Sequence, residues 1–244
     1  MWVKICGNTN LEDAQLAAEL GADAVGFVFA ASKRQVTAEQ VAEIMPYLPA
    51  QVERVGVFDT LDAEEIATVA LKVGLTAVQL HSGVDEKLAT QLAERFTGGV
   101  RIIQTLHWAV DRQAQAGANA TSAATLTSRL GAETPTAWLT AEIARVARLG
   151  VAERVLIDSK VGTAAGGTGV AFDWDAARAA FASAPNGVHL IVAGGLRAEN
   201  VAEAIARLAP WGVDVSSGVE ASVGHKDPQR LAQFIHNARE AVAP

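Results

Sequence analysis

The 244-residue chain contains a single cysteine, Cys6, so no disulfide can form within it. That scarcity fits a reducing compartment. No apolar run reaches the roughly 18 residues that a membrane-spanning helix needs. No long apolar segment follows a basic start in the manner of a signal peptide. These absences predict a cytoplasmic protein that does not insert into membranes.

Basic clusters are also missing. Lys and Arg number 20 against 27 Asp and Glu, and the net charge is -7. An acidic chain gains little from phosphate backbones, which argues against a nucleic-acid partner. No GxGxxG motif follows the first predicted strand, and there is no P-loop, so a nicotinamide cofactor is not expected. The five histidines are scattered without metal-ligand spacing, which predicts no metal site.

Short apolar runs alternate with Ala- and Leu-rich stretches along the whole chain. The runs are nearly continuous, which is typical of parallel strands covered on both faces. Eight strands are predicted: Val3–Cys6, Ala24–Phe29, Glu53–Phe58, Ala77–Leu80, Arg101–Gln104, Arg154–Asp158, His189–Ala193 and Gly212–Ser216. The predicted helices are Leu11–Leu20, Ala38–Tyr47, Ala63–Lys72, Asp85–Arg95, Thr140–Arg148, Asp173–Ala182, Ala198–Leu208 and Pro228–Ala241.

This alternation, repeated eight times, predicts an α/β protein with a closed (β/α)8 TIM barrel as one domain over residues 1–244. One segment, at about 106–149 between strands five and six, is longer than the regular spacing. It contains a stretch rich in Ala, Thr, Ser and Gly. Either it is a tolerated surface insertion, or it covers a substrate as a lid.

Barrel enzymes carry their reactive groups at the carboxyl ends of the strands. Cys6 ends the first predicted strand and is a candidate base or nucleophile, or a small buried apolar residue. Lys4 shares its face of the strand. It would either favour the thiolate or form an ion pair deeper in the barrel.

Asp158 ends the sixth predicted strand. A carboxyl at the end of a buried apolar run needs a partner or a raised pKa, which suits a general acid. The alternative is an ordinary loop or capping aspartate. The Gly-rich stretch that follows, with Gly166, Gly167 and Gly169, is expected to let backbone approach a ligand.

Glycine- and serine-rich loops follow strands seven and eight, where barrels commonly bind phosphate through backbone N–H groups. Gly194 and Gly195 in one loop, with Ser217 and Gly218 in the other, predict a phosphate site, although two tight turns would look the same. Further candidates for substrate contact are Arg34, as a fork for a carboxylate, and Gln79, His81 and Asp214. Arg34 could equally be a solvated surface residue.

Taken together, the segments "KICGN", "GADAVGFVF", "SKR", "GVF", "VQLH", "LIDS", "GGTGVAFDW", "AGGL" with "ENV", and "DVSSGVE" resemble the phosphoribosylanthranilate isomerase family. The resemblance covers nearly the whole chain. The departure is the segment from about Leu106 to Leu149, which is longer than the family usually has there.

The resemblance implies the Amadori rearrangement of N-(5-phosphoribosyl)anthranilate in tryptophan biosynthesis, without cofactor or metal. It implies that Asp158 is the general acid and Cys6 the general base. Arg34 would hold the anthranilate carboxylate, and Asp214 would lie in the substrate site. Two alternatives stay open: a related barrel enzyme acting on another phosphorylated sugar, and a non-catalytic phosphate-binding barrel. The chain is expected to be a monomer or a homodimer.

Overall fold

The computed structural model describes residues 1–108, 134–159 and 174–241. Within them, eight parallel strands close into a barrel in sequence order, and the last strand pairs with the first. The strands are β1 Trp2–Ile5, β2 Ala24–Val28, β3 Glu53–Phe58, β4 Ala77–Leu80, β5 Arg101–Trp108, β6 Arg154–Ser159, β7 His189–Ala193 and β8 Gly212–Val215. The predicted (β/α)8 barrel is confirmed.

Helices follow the strands and pack around them. They are α1 Leu11–Glu19, α2 Ala38–Ile44, α3 Ala63–Val73, α4 Glu86–Phe96, α5 Pro135–Leu149, α6 Trp174–Ala182, α7 Val201–Leu208 and α8 Pro228–Glu240. A two-stranded hairpin, β9 Glu220–Ser222 with β10 His225–Lys226, follows β8. No helix in the described ranges is long and apolar enough to span a bilayer.

The predicted helix starts have the expected capping chemistry. The Thr37 hydroxyl accepts the N–H of Gln40, and the Gln40 side chain accepts the N–H of Thr37, which makes a reciprocal capping box at α2. Helix α5 begins five residues before the predicted Thr140, because Thr134 caps it and Pro135 occupies the first turn. Proline suits that position, where its missing N–H would have no helical partner.

Apolar side chains form two cores. One fills the barrel interior: Trp2, Ala24, Val55, Ala77, Ile103, Leu156, Ile191 and Ala193, with Trp211 against it. The other, larger core lies between the strands and the surrounding helices. Since side chains alternate along a strand, residues two positions beyond an interior side chain also face the interior. This alternation decides which polar groups reach the mouth of the barrel.

Rings close the amino-terminal end of the barrel. Trp2 stacks on Trp211 with ring centroids 5.2 Å apart. His189 also stacks on Trp211, with ring centroids 4.6 Å apart. The Arg154 guanidinium lies 5.1 Å from the Trp2 ring and 4.8 Å from the Trp211 ring, in the range of cation–π attraction. We call these four residues the aromatic floor.

The strands lie within one residue of their predicted bounds except β5, which continues past Gln104 to Trp108. The extra residues pair with the carboxyl end of β6, where His107 is the register partner of Asp158. The predicted segment of 106–149 is described only at its two ends. Its centre, with the suggested lid, and the Gly166–Gly169 stretch lie outside the described residues.

Candidate active site

Strand alternation brings polar side chains into the barrel above the interior core, toward the carboxyl ends. A first level, two residues beyond the apolar ones, holds Lys4, Gln79, Thr105 and Asp214. A second level holds Cys6, His81, His107 and Ser216, two residues further on, together with Asp158, which lies two residues beyond Leu156 and is the register partner of His107. The predicted residues Cys6, Asp158, Gln79, His81 and Asp214 therefore all belong to the mouth of one barrel.

Lys4 connects two of the predicted residues. It is fully buried, and its Nζ donates to Asp214 Oδ1 at 2.9 Å. Its ammonium also lies close enough to the Cys6 sulfur to lower the pKa of the thiol. Both predicted environments for Lys4, the thiol and the ion pair, thus occur together. Gly26 makes this possible, because a Cβ there would lie 2.9 Å from Cys6 Sγ.

The pKa of the Cys6 thiol is raised above its ordinary value of 9.0. Burial is the largest cause and Asp214 adds to it, while Lys4 and Lys226 lower the pKa by less. Lys4 therefore favours the thiolate, as one of its two predicted roles states, but the net shift of the Cys6 pKa is upward. Removal from water outweighs the neighbouring ammonium groups, so the thiolate is the minor form at neutral pH.

A second charged network supports the strand that carries Cys6. Arg34 forms a fork with Glu220, with Nε to Oε1 at 2.6 Å and Nη2 to Oε2 at 2.7 Å. Buried Lys226 donates to the Cys6 backbone carbonyl at 2.6 Å and to Glu220 Oε1 at 3.3 Å. Burial tends to raise the pKa of Glu220, but Arg34 and Lys226 outweigh it and lower that pKa. Arg34 is thus not a solvated surface residue.

Gly7 allows Arg34 to cross the mouth beside Cys6. A Cβ at Gly7 would lie 2.6 Å from Arg34 Cδ and 2.7 Å from Ser216 Oγ, and its φ of 71° is a left-handed conformation. Glycine adopts that conformation without strain. Arg34 therefore lies near the thiol, and its guanidinium is paired with the carboxylate of Glu220. Its predicted contact with a substrate carboxylate stays a prediction.

Asp158 lies in a separate group with two histidines. One donor atom each from His81, His107 and Asp158 lies within 4.8 Å of the other two. The two imidazoles meet edge to face with centroids 4.5 Å apart. Strand pairing thus brings together residues that are far apart in sequence, in a group that could hold a metal ion and that the spacing of the histidines does not indicate.

Gln79 lies below this group and is almost fully buried. Its Nε2 donates to Thr105 Oγ1 at 3.2 Å across β4 and β5, while its Oε1 has no partner among the described residues. The predicted role of Gln79 in substrate contact remains a prediction.

The loops after β7 and β8 are in tight contact. A Cβ at Gly218 would lie 1.8 Å from the Leu196 carbonyl oxygen, so only glycine fits there. Gly194 and Gly195 have φ values of 88° and 66°. Asn200 ties down their loop, since its Nδ2 donates to the Gly195 carbonyl at 3.1 Å. With Ser217 exposed beside Gly218, the two predicted halves of the phosphate site are neighbours.

A closed (β/α)8 barrel with a thiol, a carboxyl group and several cations at its mouth has the architecture of a barrel enzyme. Comparison with known proteins is more specific. The family model described as "N-(5'phosphoribosyl)anthranilate (PRA) isomerase" matches residues 3–131 and 134–237. The chain belongs to this family.

Individual relatives match over almost their whole length. The N-(5'-phosphoribosyl)anthranilate isomerase of Pelobacter propionicus is 40% identical over 98% of this chain and 95% of its own. The crystal structure of phosphoribosyl anthranilate isomerase from Thermotoga maritima is 36% identical, with a TM-score of 0.75 and 98% and 99% of the two chains covered. Another structure of such an isomerase, in complex with reduced 1-(o-carboxyphenylamino)-1-deoxyribulose 5-phosphate, is 34% identical with a TM-score of 0.73, again covering 98% and 99%.

Three residues of these networks were not singled out from the sequence: Glu220, Lys226 and His107. Glu220 ends the "DVSSGVE" motif, which could have drawn attention to it. Lys226 and His107 carry no comparable sequence pattern. Their importance comes from the hairpin after β8 and from the length of β5, which appear only in three dimensions.

Proposed function

We propose that this protein catalyses the Amadori rearrangement of N-(5-phosphoribosyl)anthranilate to 1-(2-carboxyphenylamino)-1-deoxyribulose 5-phosphate, an aldose–ketose isomerisation in tryptophan biosynthesis. Family membership over nearly the full chain supports the reaction. One observation supports its assignment to particular residues: Cys6 directly follows β1 and Asp158 lies near the end of β6 at the same mouth of the barrel, with strand alternation directing both inward.

Substrate binding uses anion-binding groups around the mouth. The backbone N–H groups of Gly194–Gly195 and Ser217–Gly218 hold the phosphate, since glycine lets it approach the backbone closely. Arg34 holds the anthranilate carboxylate by exchanging part of its fork on Glu220 for the ligand. His81, Gln79 and Asp214 line the sugar between these two ends.

The first step opens the sugar ring. Asp158 in its protonated form transfers its proton to the furanose ring oxygen, and the bond from C1 to that oxygen breaks. The nitrogen lone pair forms the C1–N double bond of an iminium ion, and Asp158 is left as a carboxylate. A partly buried carboxyl at a strand end suits this acid role, because burial favours the neutral form.

The second step makes the ketone. The Cys6 thiolate removes the proton from C2, the C2 electron pair forms a C1–C2 double bond, and the iminium nitrogen becomes neutral. The resulting enolamine tautomerises to the ketone. A thiolate held in a dry site beside Lys4 is a strong base. The positive iminium favours its ionised form by charge attraction.

These steps take place in a cytoplasmic enzyme that works as a monomer or a homodimer, with residues 1–244 as one domain. The proposed location, oligomeric state and domain organisation do not depend on the chemical mechanism. Gel filtration with light scattering checks the oligomeric state directly.

Turnover of phosphoribosylanthranilate, followed by loss of its fluorescence, tests the proposal. Cys6→Ala and Asp158→Asn should each lower kcat by about 10²–10⁴-fold, the usual contribution of a general acid or base. Circular dichroism melts should show that both variants fold. A variant with near-wild-type turnover would disprove the role assigned to that residue. An inactive wild-type protein that binds phosphate esters would favour the non-catalytic barrel instead.

A further inference from the structure

We propose that His81, His107 and Asp158 form a site for a divalent transition-metal ion of the Zn²⁺ class at the mouth of the barrel. Two imidazoles and one carboxylate are a ligand set that Zn²⁺ binds in proteins, with a fourth position left open. The donor atoms lie within 4.8 Å of one another. Ligand atoms around a tetrahedral Zn²⁺ lie about 3.3 Å apart, so binding would draw the donor atoms together by up to about 1.5 Å.

A hydrogen bond to the backbone sets the tautomer of His107. Its Nε2 lies 2.8 Å from the His81 backbone carbonyl oxygen. A carbonyl only accepts, so Nε2 carries the hydrogen, and the lone pair of the neutral ring lies on Nδ1. That Nδ1 is buried and has no hydrogen-bond partner among the described residues. Metal-ligating histidines commonly donate their other ring N–H to a backbone carbonyl in this way.

The backbone also holds the ligands in place. His107 and Asp158 are register partners on the paired strands β5 and β6, so their side chains emerge side by side. The His81 N–H donates to the Phe58 carbonyl at 2.8 Å, which fixes the end of β4 beside them. All three side chains are half-buried, so they are not sealed in the core of the barrel.

Metal binding at this site has a consequence that rests on the proposed function. An ion on the Asp158 carboxylate occupies the oxygen that carries the proton for ring opening. The metal-bound enzyme therefore lacks its general acid. Zn²⁺ should act as a reversible inhibitor, and a chelator should restore turnover.

Titration of the whole protein with Co²⁺ alone tests binding independently of activity, because Co²⁺ in a low-symmetry site of nitrogen and oxygen ligands absorbs visible light. Wild type should bind one Co²⁺ per chain, and His107→Gln should bind it at least about tenfold more weakly. His236→Gln serves as the matched control, since His236 is exposed on α8, and should bind like wild type. If His107→Gln does not fold, His81→Asn provides the same test.

Two results would overturn the site. One is equal affinity of wild type and His107→Gln. The other is a thiolate-to-metal charge-transfer band that Cys6→Ser removes, which would place the ion on Cys6.

Activity is measured in parallel with Zn²⁺. Two results together support the proposal. Zn²⁺ inhibits the wild type and EDTA reverses this inhibition, and His107→Gln weakens the inhibition by the same factor as it weakens metal binding. Binding without inhibition refutes the link to Asp158. If Co²⁺ binds but the metal-free protein has no isomerase activity, the proposed function fails and the metal site stands. If the protein is an active isomerase but does not bind Co²⁺, the metal site fails and the proposed function stands.

Discussion

Replacing Lys4 with methionine should destabilise the protein and move its activity to higher pH. Methionine fills a similar volume but lacks the charge that balances Asp214, whose carboxylate is 2.9 Å from the ammonium and is itself buried. Removing one partner of a buried ion pair costs about 3–5 kcal/mol, because the other charge is left uncompensated. For a chain of this size, that loss lowers the melting temperature by about 6–20 °C.

The pH dependence has a definite sign. Burial disfavours charged Lys4, but attraction to Asp214 and Cys6 outweighs it, so the pKa of Lys4 is raised above 10.5. A group whose pKa is raised by folding stabilises the folded state fully at pH values below its pKa in the unfolded chain. This stabilisation is lost as the pH rises through its pKa in the folded protein. The difference in stability between wild type and Lys4→Met should therefore be full at neutral pH and shrink above about 10.5.

Urea unfolding at pH 7.5 measures the loss, and Lys4→Met/Asp214→Asn is the matched control. The double variant has no unpaired charge, so it should regain at least about 1 kcal/mol relative to Lys4→Met. Lys4 also lowers the pKa of Cys6, so the alkaline rise of kcat/KM should shift upward in Lys4→Met. A stability loss below about 1 kcal/mol, or a double variant no better than Lys4→Met, would refute this reasoning.

Two further variants test binding at the mouth. Arg34→Ala should raise KM far more than it lowers kcat. Glu220→Gln, which keeps the Arg34 guanidinium, should raise KM less. A large loss of kcat at unchanged KM in Arg34→Ala would contradict a role of Arg34 in holding the substrate carboxylate. Gly218→Ala should raise KM at least about tenfold, because its Cβ would meet the Leu196 carbonyl at 1.8 Å and force the two phosphate loops apart; an unchanged KM for the substrate would place the phosphate elsewhere.

The strands could be predicted because each is a short apolar run with a turn on either side. That pattern follows from burial on both faces and needs no knowledge of neighbours. The cap at Thr37 could be predicted for a similar reason, since capping involves residues three positions apart. Candidates at strand ends, such as Cys6 and Asp158, follow from the barrel rule once the strands are known.

Features that depend on contacts between distant segments could not be predicted. The fork of Arg34 on Glu220 joins residues 186 positions apart, and no local pattern indicates it. His107 became a neighbour of Asp158 only because β5 continues past its predicted end. The upward shift of the Cys6 pKa could not be predicted for a related reason: the sequence indicates that Lys4 is nearby, but not how completely the barrel excludes water from the thiol.

The aromatic floor lies across the end of the barrel opposite the candidate site. Rings of Trp2, Trp211 and His189 are stacked across the amino end, and Lys4 is fully buried in the barrel. A ligand bound at the mouth would cover the ion pair and the thiol from the carboxyl end. All three would then share one chamber of low dielectric constant. Charge effects on the chemistry in that chamber would be larger than the same groups could exert in an open channel.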